Sequence, residues 1–196
     1  NGGEGITYYW PSGTARIDGE FGLTGGGFPA MRVSLNQPRG GAPMRGEARI
    51  APYSAGNARM ALAPIRFRAG TGGATRIETA AVLSGPIGSD GYVRNLALPV
   101  TGSFGNGGYA FGESCATAGF DALKVSSLTL GRTRLPLCPT GRALIWKNPG
   151  GSVQGGARLP TLNLTGRLGR SPLRLTGEAV RFNLADKSFS GSDLTI

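Results

Sequence analysis

The side chains able to do chemistry in this chain are few and scattered. There is no histidine among the 196 residues, which removes the Ser-His-Asp and Cys-His mechanisms, the commonest metal ligand and the one side chain that titrates near neutrality. The carboxylates fall singly, apart from Asp18 and Glu20. Two positions apart on a strand, these face one side, as a glycosidase pair would. No aromatic sugar platform lies near them, so a solvated strand face is the better reading. Gly25-Gly-Gly27 and Gly150-Gly151 lack the Gly-Lys-Ser/Thr and the following helix of a phosphate loop, and read as turns. Asn163-Leu-Thr165 matches a glycosylation sequon inside an alternating segment and is discounted. Cys115 and Cys138 are either one disulfide, contributing about 3.5 kcal/mol by chain entropy for a loop of this length, or two buried free thiols. No catalytic residue, metal or cofactor is expected from this inventory.

The elements that must carry these residues are strands. The 35 glycines and 13 prolines exclude long helices, while hydrophobic residues at 39% argue for a folded chain. Apolar side chains recur at every second position in short runs closed by glycine or proline, the period of a strand. Ile6, Tyr8 and Trp10 alternate, as do Met31, Val33 and Leu35, then Met60 and Leu62. Ile65 and Phe67 resume after Pro64 with the parity shifted, which predicts a bulge or a bend. Ile77, Thr79, Ala81 and Leu83 follow, then Leu96, Leu98 and Val100, then Tyr109 and Phe111. In the last third the pattern runs through Leu128 and Leu130, Leu135 and Leu137, Leu162 and Leu164, Leu173 and Leu175, then Val180, Phe182 and Leu184, and finally Leu194 and Ile196. Spacings of about 8 to 15 residues fit an antiparallel meander, sandwich or barrel, and no stretch supplies a crossover helix. The fold class is all-β. Residues 1–196 read as a single β-rich segment, with a sub-boundary candidate at Gly105-Asn-Gly-Gly108 and a further turn at Asn148-Pro-Gly-Gly151. Gly-Arg recurs at Gly131, Gly141, Gly166 and Gly169, most simply as turns ending in a solvated arginine.

Charge adds a direction without a ligand. Twenty-one basic residues against eleven acidic ones give a net charge of +10, which favours anionic partners. The arginines are spaced singly along the strands, so nucleic acid is not the expected partner. The apolar alternation either packs into a closed core or lines a groove for someone else's apolar chain. An acyl chain of about fourteen buried methylenes gains roughly 11 kcal/mol at about 0.8 kcal/mol each. An arginine near an anionic headgroup adds only about 1 kcal/mol. In a lipid groove, leucines would dominate affinity and arginines would steer.

The order of several short phrases resembles a known family. Gly25-Gly-Gly-Phe-Pro29 followed by Arg32-Val-Ser-Leu35, Ala51-Pro-Tyr53, Gly85-Pro86, Leu98-Pro99, Cys115, Leu135-Pro-Leu-Cys-Pro139 and Gly166-Arg-Leu-Gly-Arg-Ser-Pro-Leu173 are together similar to the YdbH-type proteins. These belong to the AsmA-like group of the Gram-negative envelope, which also includes TamB. The resemblance spans nearly the whole chain and contains no active-site signature. It implies an elongated, strongly curved antiparallel sheet, a β-taco or open groove, with a closed sandwich or barrel as the alternative. It also implies a periplasmic segment of a longer, inner-membrane-anchored protein that passes phospholipid between inner and outer membranes without catalysis. A periplasmic address favours the Cys115–Cys138 disulfide. The expected groove residues, taken from the alternation, are Leu128, Leu130, Leu162, Leu164, Leu173, Leu175, Val180, Phe182 and Leu184. Expected partners are phospholipid or another acyl lipid, the two membranes through parts outside this chain, and a second copy at exposed sheet edges. The competing reading is an adhesive or scaffolding periplasmic β domain that binds protein or glycan.

Overall fold

The computed structural model describes residues 5–9, 14–70, 72–186 and 188–195; Trp10 and Ile196 lie outside them. All strands join in one antiparallel sheet, and no helix occurs among the described residues. Strands β1 (Gly5–Tyr9), β2 (Thr14–Gly25), β3 (Phe28–Asn36) and β4 (Arg45–Ile50) pair in sequence order. A small hairpin of β5 (Tyr53–Ala55) and β6 (Ala58–Leu62) follows, then β7 (Ile65–Ala69). Both β6 and β7 pair with the long strand β8 (Thr75–Ile87). Their registers on β8 differ by one residue across Ala63-Pro64, the bulge that the shifted parity predicted.

The second half is built between two long strands, β9 (Gly91–Gly105) and β16 (Val153–Leu168). Along the edge of β9 not taken by β8 lie β10 (Gly108–Phe111), β11 (Ala116–Phe120) and β12 (Ala122–Val125), end to end. Against them run β13 (Leu128–Leu130), β14 (Thr133–Pro139) and β15 (Ile145–Lys147), which in turn line one edge of β16. Six strands, β9, β10, β15, β16, β14 and β11, thereby close a ring of antiparallel pairings, a small barrel-type circuit within the larger sheet. Ala110, on β10, and Ala143, in the connection between β14 and β15, are both 0% exposed. Strands β17 (Ser171–Asn183) and β18 (Ser188–Thr195) complete the order beyond β16. Among the described residues, β1 pairs only with β2 and β18 only with β17.

Gly105-Asn-Gly-Gly108 is the tight hairpin turn between β9 and β10, with Asn106 and Gly107 both at positive φ as such a turn requires. The disulfide Cys115–Cys138 forms beside the Ala116 and Leu137 pair, where the β10–β11 edge is interrupted, and ties that edge to β14.

Accessible surface shows how little of this sheet is covered. A compact monomer of 20.1 kDa exposes about 8,700 Å², whereas this chain exposes 12746 Å². Among the described residues, Val180 is the one large side chain that is fully buried. The sheet does not fold its apolar side into a sealed core of ordinary size.

Candidate functional site

Directly opposed residues on antiparallel strands share a face, so the register traces one side of the sheet from strand to strand. One row runs Leu35, Gly46, Phe67, Ile77, Gly102, Phe111, Ile145 and Gly155 across β3, β4, β7, β8, β9, β10, β15 and β16. Gly155 accepts a backbone hydrogen bond from Leu184 at 3.0 Å, which carries the row to the end of β17. A second row runs Gly85, Val93, Leu123, Leu130, Gly166 and Leu173. Both rows pass through odd positions of β8, Ile77 and Gly85, whose alternation is unbroken from Thr75 to Gly85, and therefore lie on one face. The opposite face of the same strands carries Arg32, Arg66, Arg68, Arg76 and Glu78.

Glycine has a specific part in these rows. A Cβ at Gly46 would run into the Phe67 ring, one at Gly102 into the Phe111 ring, and one at Gly166 into Leu130. Large side chains lie flat across the glycine opposite, which draws adjacent strands into a curved apolar surface.

Strand alternation alone would not keep this face apolar. On β16 the row residues are Gly155 and Gly166, an odd and an even position, so the strand changes parity between them, at Pro160. On β17 the half-buried Leu173 and Leu175 are odd, whereas Val180, Phe182 and Leu184 are even. Ala179, at φ 48°, supplies the reversal. On β9 it is Asn95, at φ 52°, that lets Val93 and Leu96 face the same way. This backbone conformation is costly for residues other than glycine. A polar bracket holds the Asn95 reversal from the other side. The Asn95 amide N–H donates to Ser84 Oγ at 2.8 Å, its side chain donates to Asp121 Oδ2 at 2.8 Å, and Arg132 Nε donates to Asp121 Oδ1 at 3.1 Å. The Asn95 hydrogen bond, helped by the nearby Arg132 and Arg94 charges, holds the Asp121 carboxyl below its ordinary value.

The nine residues expected from the sequence all belong to this apolar face, but they do not have equal access to it. Leu130, Leu162 and Val180 are 3%, 7% and 1% exposed and serve mainly to pack the sheet. Leu128, Leu164, Leu173 and Leu175 are half-buried, with Leu164 directly opposite Leu175. Phe182 and Leu184, 42% and 38% exposed, offer the most contact area. A further apolar recess lies elsewhere, under the β5–β6 hairpin. It is a cavity of about 360 Å³ lined by Tyr53, Met60, Leu83, Ile87, Val93 and Leu96 among others. Leu83 and Leu96 were visible as alternating residues. Their convergence on Tyr53 depends on a hairpin pairing that periodicity does not encode.

Asp18 accepts from Arg16 at 2.6 Å, and Glu20, exposed, stands opposite Ser34, as a solvated strand face would have them. The four Gly-Arg pairs occupy unlike places, Gly166 inside β16 and Gly169 in the β16–β17 turn, for example. Comparison with protein-family models, curated proteins and solved structures finds no match for this chain.

Proposed function

We propose that this protein binds the acyl chains of phospholipid along its curved apolar face and passes them on without catalysis, as the YdbH-like phrasing of its strands implies. The observation that carries this reading is the uninterrupted apolar face from β3 to β17, left open by a sheet with far more surface than a compact chain needs. Its three parity reversals keep apolar side chains on one side where regular strands would have turned them to the other. About fourteen buried methylenes would give roughly 11 kcal/mol, ample for capture, and the gain is spread evenly enough along rows of leucine for a chain to slide.

The disulfide is compatible with an oxidising compartment, and the proposed address is the periplasm, in a protein anchored to the inner membrane. The outer edges of β1 and β18, unpaired among the described residues, are where a second copy would add strands. An environment-sensitive hydrophobic dye tests the reading. The folded protein should bind the dye and release it to added phospholipid, whereas a closed adhesive domain would take up no dye.

A further inference from the structure

The polar face carries two neighbouring rows built on the same strands, and they are charged in opposite styles. In one, Ser34, Glu47, Arg66, Glu78 and Thr101 stand directly opposite one another, so that acid and base alternate. Glu47 there is engaged by Arg49 at 2.8 Å and Arg66 at 3.8 Å. In the other, Asn36, Arg45, Arg68, Arg76 and Ser103 stand opposite one another, and three arginines follow in succession. Like charges directly opposed across a sheet are destabilising. Among the described residues no carboxylate comes within 4.0 Å of these three arginines. The first row shows that these strands can carry compensating acids, and the second leaves them out.

Both rows border a cavity of about 620 Å³, which also has Glu113 in its wall. The three arginines occupy directly opposed positions on neighbouring strands, about 5 Å apart between Cβ atoms. Each guanidinium is a planar fork suited to two oxygens of one phosphoryl group. The flanking Asn36 and Ser103 add neutral donors. Glu47, Glu78 and Glu113 in the same wall disfavour indiscriminate polyanion binding and restrict the anion to the arginine row.

We propose that Arg45, Arg68 and Arg76 form a binding site for a diphosphate-type anion. Two phosphoryl groups joined through one oxygen spread their charge along a line, as the arginines do, whereas a single phosphate would engage only part of the row. The row lies on the face opposite the apolar rows, so the proposal is independent of lipid carriage.

Titration of the whole chain with inorganic pyrophosphate at low salt, followed by amide NMR or calorimetry, tests this. Wild-type protein should bind pyrophosphate at least fivefold tighter than orthophosphate. Arg68→Gln should weaken pyrophosphate binding tenfold or more, and Arg68→Lys, which keeps the charge and loses the fork, about threefold or more. Arg170→Gln, the same charge change in the exposed β16–β17 turn, should change it less than twofold. Absence of binding, equal affinity for the two anions, or equal losses in Arg68→Gln and Arg170→Gln would overturn the proposal. Phosphatidylcholine vesicles with and without diacylglycerol diphosphate then identify the source of the group. If Arg68→Gln also loses vesicle binding, the diphosphate is a lipid headgroup; if only pyrophosphate binding is lost, it is a free diphosphate.

Discussion

Strands β3 and β17 reach the same apolar face by different means. In β3 the frame never slips: Met31, Val33 and Leu35 are half-buried and the residues between them are exposed. In β17 the frame reverses at Ala179, and Leu173 and Val180 still face the same way although an even-numbered step does not separate them. The contrast extends to their surroundings. The first half is a meander interrupted by the β5–β6 hairpin and the bulge at Pro64, whereas the second contains end-to-end short strands, a closed ring of pairings, the reversals at Asn95, Pro160 and Ala179, and the disulfide. What is held constant across the two halves is a continuous apolar surface, and strand regularity gives way to it. A sheet under selection only for its own packing would have no reason to keep that surface open.

The largest expected effect separates the halves through the disulfide. Replacing Cys115 and Cys138 together by serine should cost about 2–4 kcal/mol. Hydrogen exchange should then show lost protection in β9 to β17 and near-native protection in β2 to β4. Uniform loss would make the sheet one cooperative unit and dissolve the distinction. Next come the glycines that seat aromatic rings. Gly46→Val in the first half and Gly102→Val at the junction should each cost about 1–3 kcal/mol by overpacking, read as a shift in the denaturation midpoint at unchanged slope.

A smaller effect should change sign between the regions. Ala179→Gly relieves a positive φ and should stabilise by about 1 kcal/mol. Ala48→Gly, in the regular frame of β4, should destabilise by about 0.5–1 kcal/mol. Equal signs would mean that Ala179 is not a strained reversal. The smallest concerns the bracket behind Asn95. Because the folded-state value of Asp121 is depressed, its stabilising contribution is present above the ordinary value of 3.8 and fades as pH falls below that toward the folded value. Melting temperatures measured down this range should fall slightly less steeply for Asp121→Asn than for wild type.

Much of this was legible from the residues. Alternation located β3, β7, β8 and the β16–β17 pair, and the parity slip at Pro64 marked a bulge that the register confirms. Gly105-Asn-Gly-Gly108 announced a tight turn, although within a continuous sheet. The reversals at Asn95 and Ala179 were not legible, since asparagine tolerates positive φ without announcing it in a strand-like run and alanine carries no sign of it at all. Nor was the recess at Tyr53, or the opposition of Arg45, Arg68 and Arg76, because each depends on which strands become neighbours. Leu130 and Val180 could be named as apolar-face residues, but their burial is set by packing that a single strand's pattern does not record.

The central proposal is that the acyl chains of lipid lie on the apolar face of this sheet and not on the polar one. Leu164 and Thr165 are adjacent on β16, the first half-buried on the apolar face and the second exposed on the polar one. Native mass spectrometry of lipid-loaded wild type, Leu164→Asp and Thr165→Asp, with crosslinking from a photoreactive phospholipid, compares the two faces at identical charge. The account predicts that Leu164→Asp loses most of its bound phospholipid while remaining folded, and that Thr165→Asp keeps it. Equal loading in both variants would contradict it.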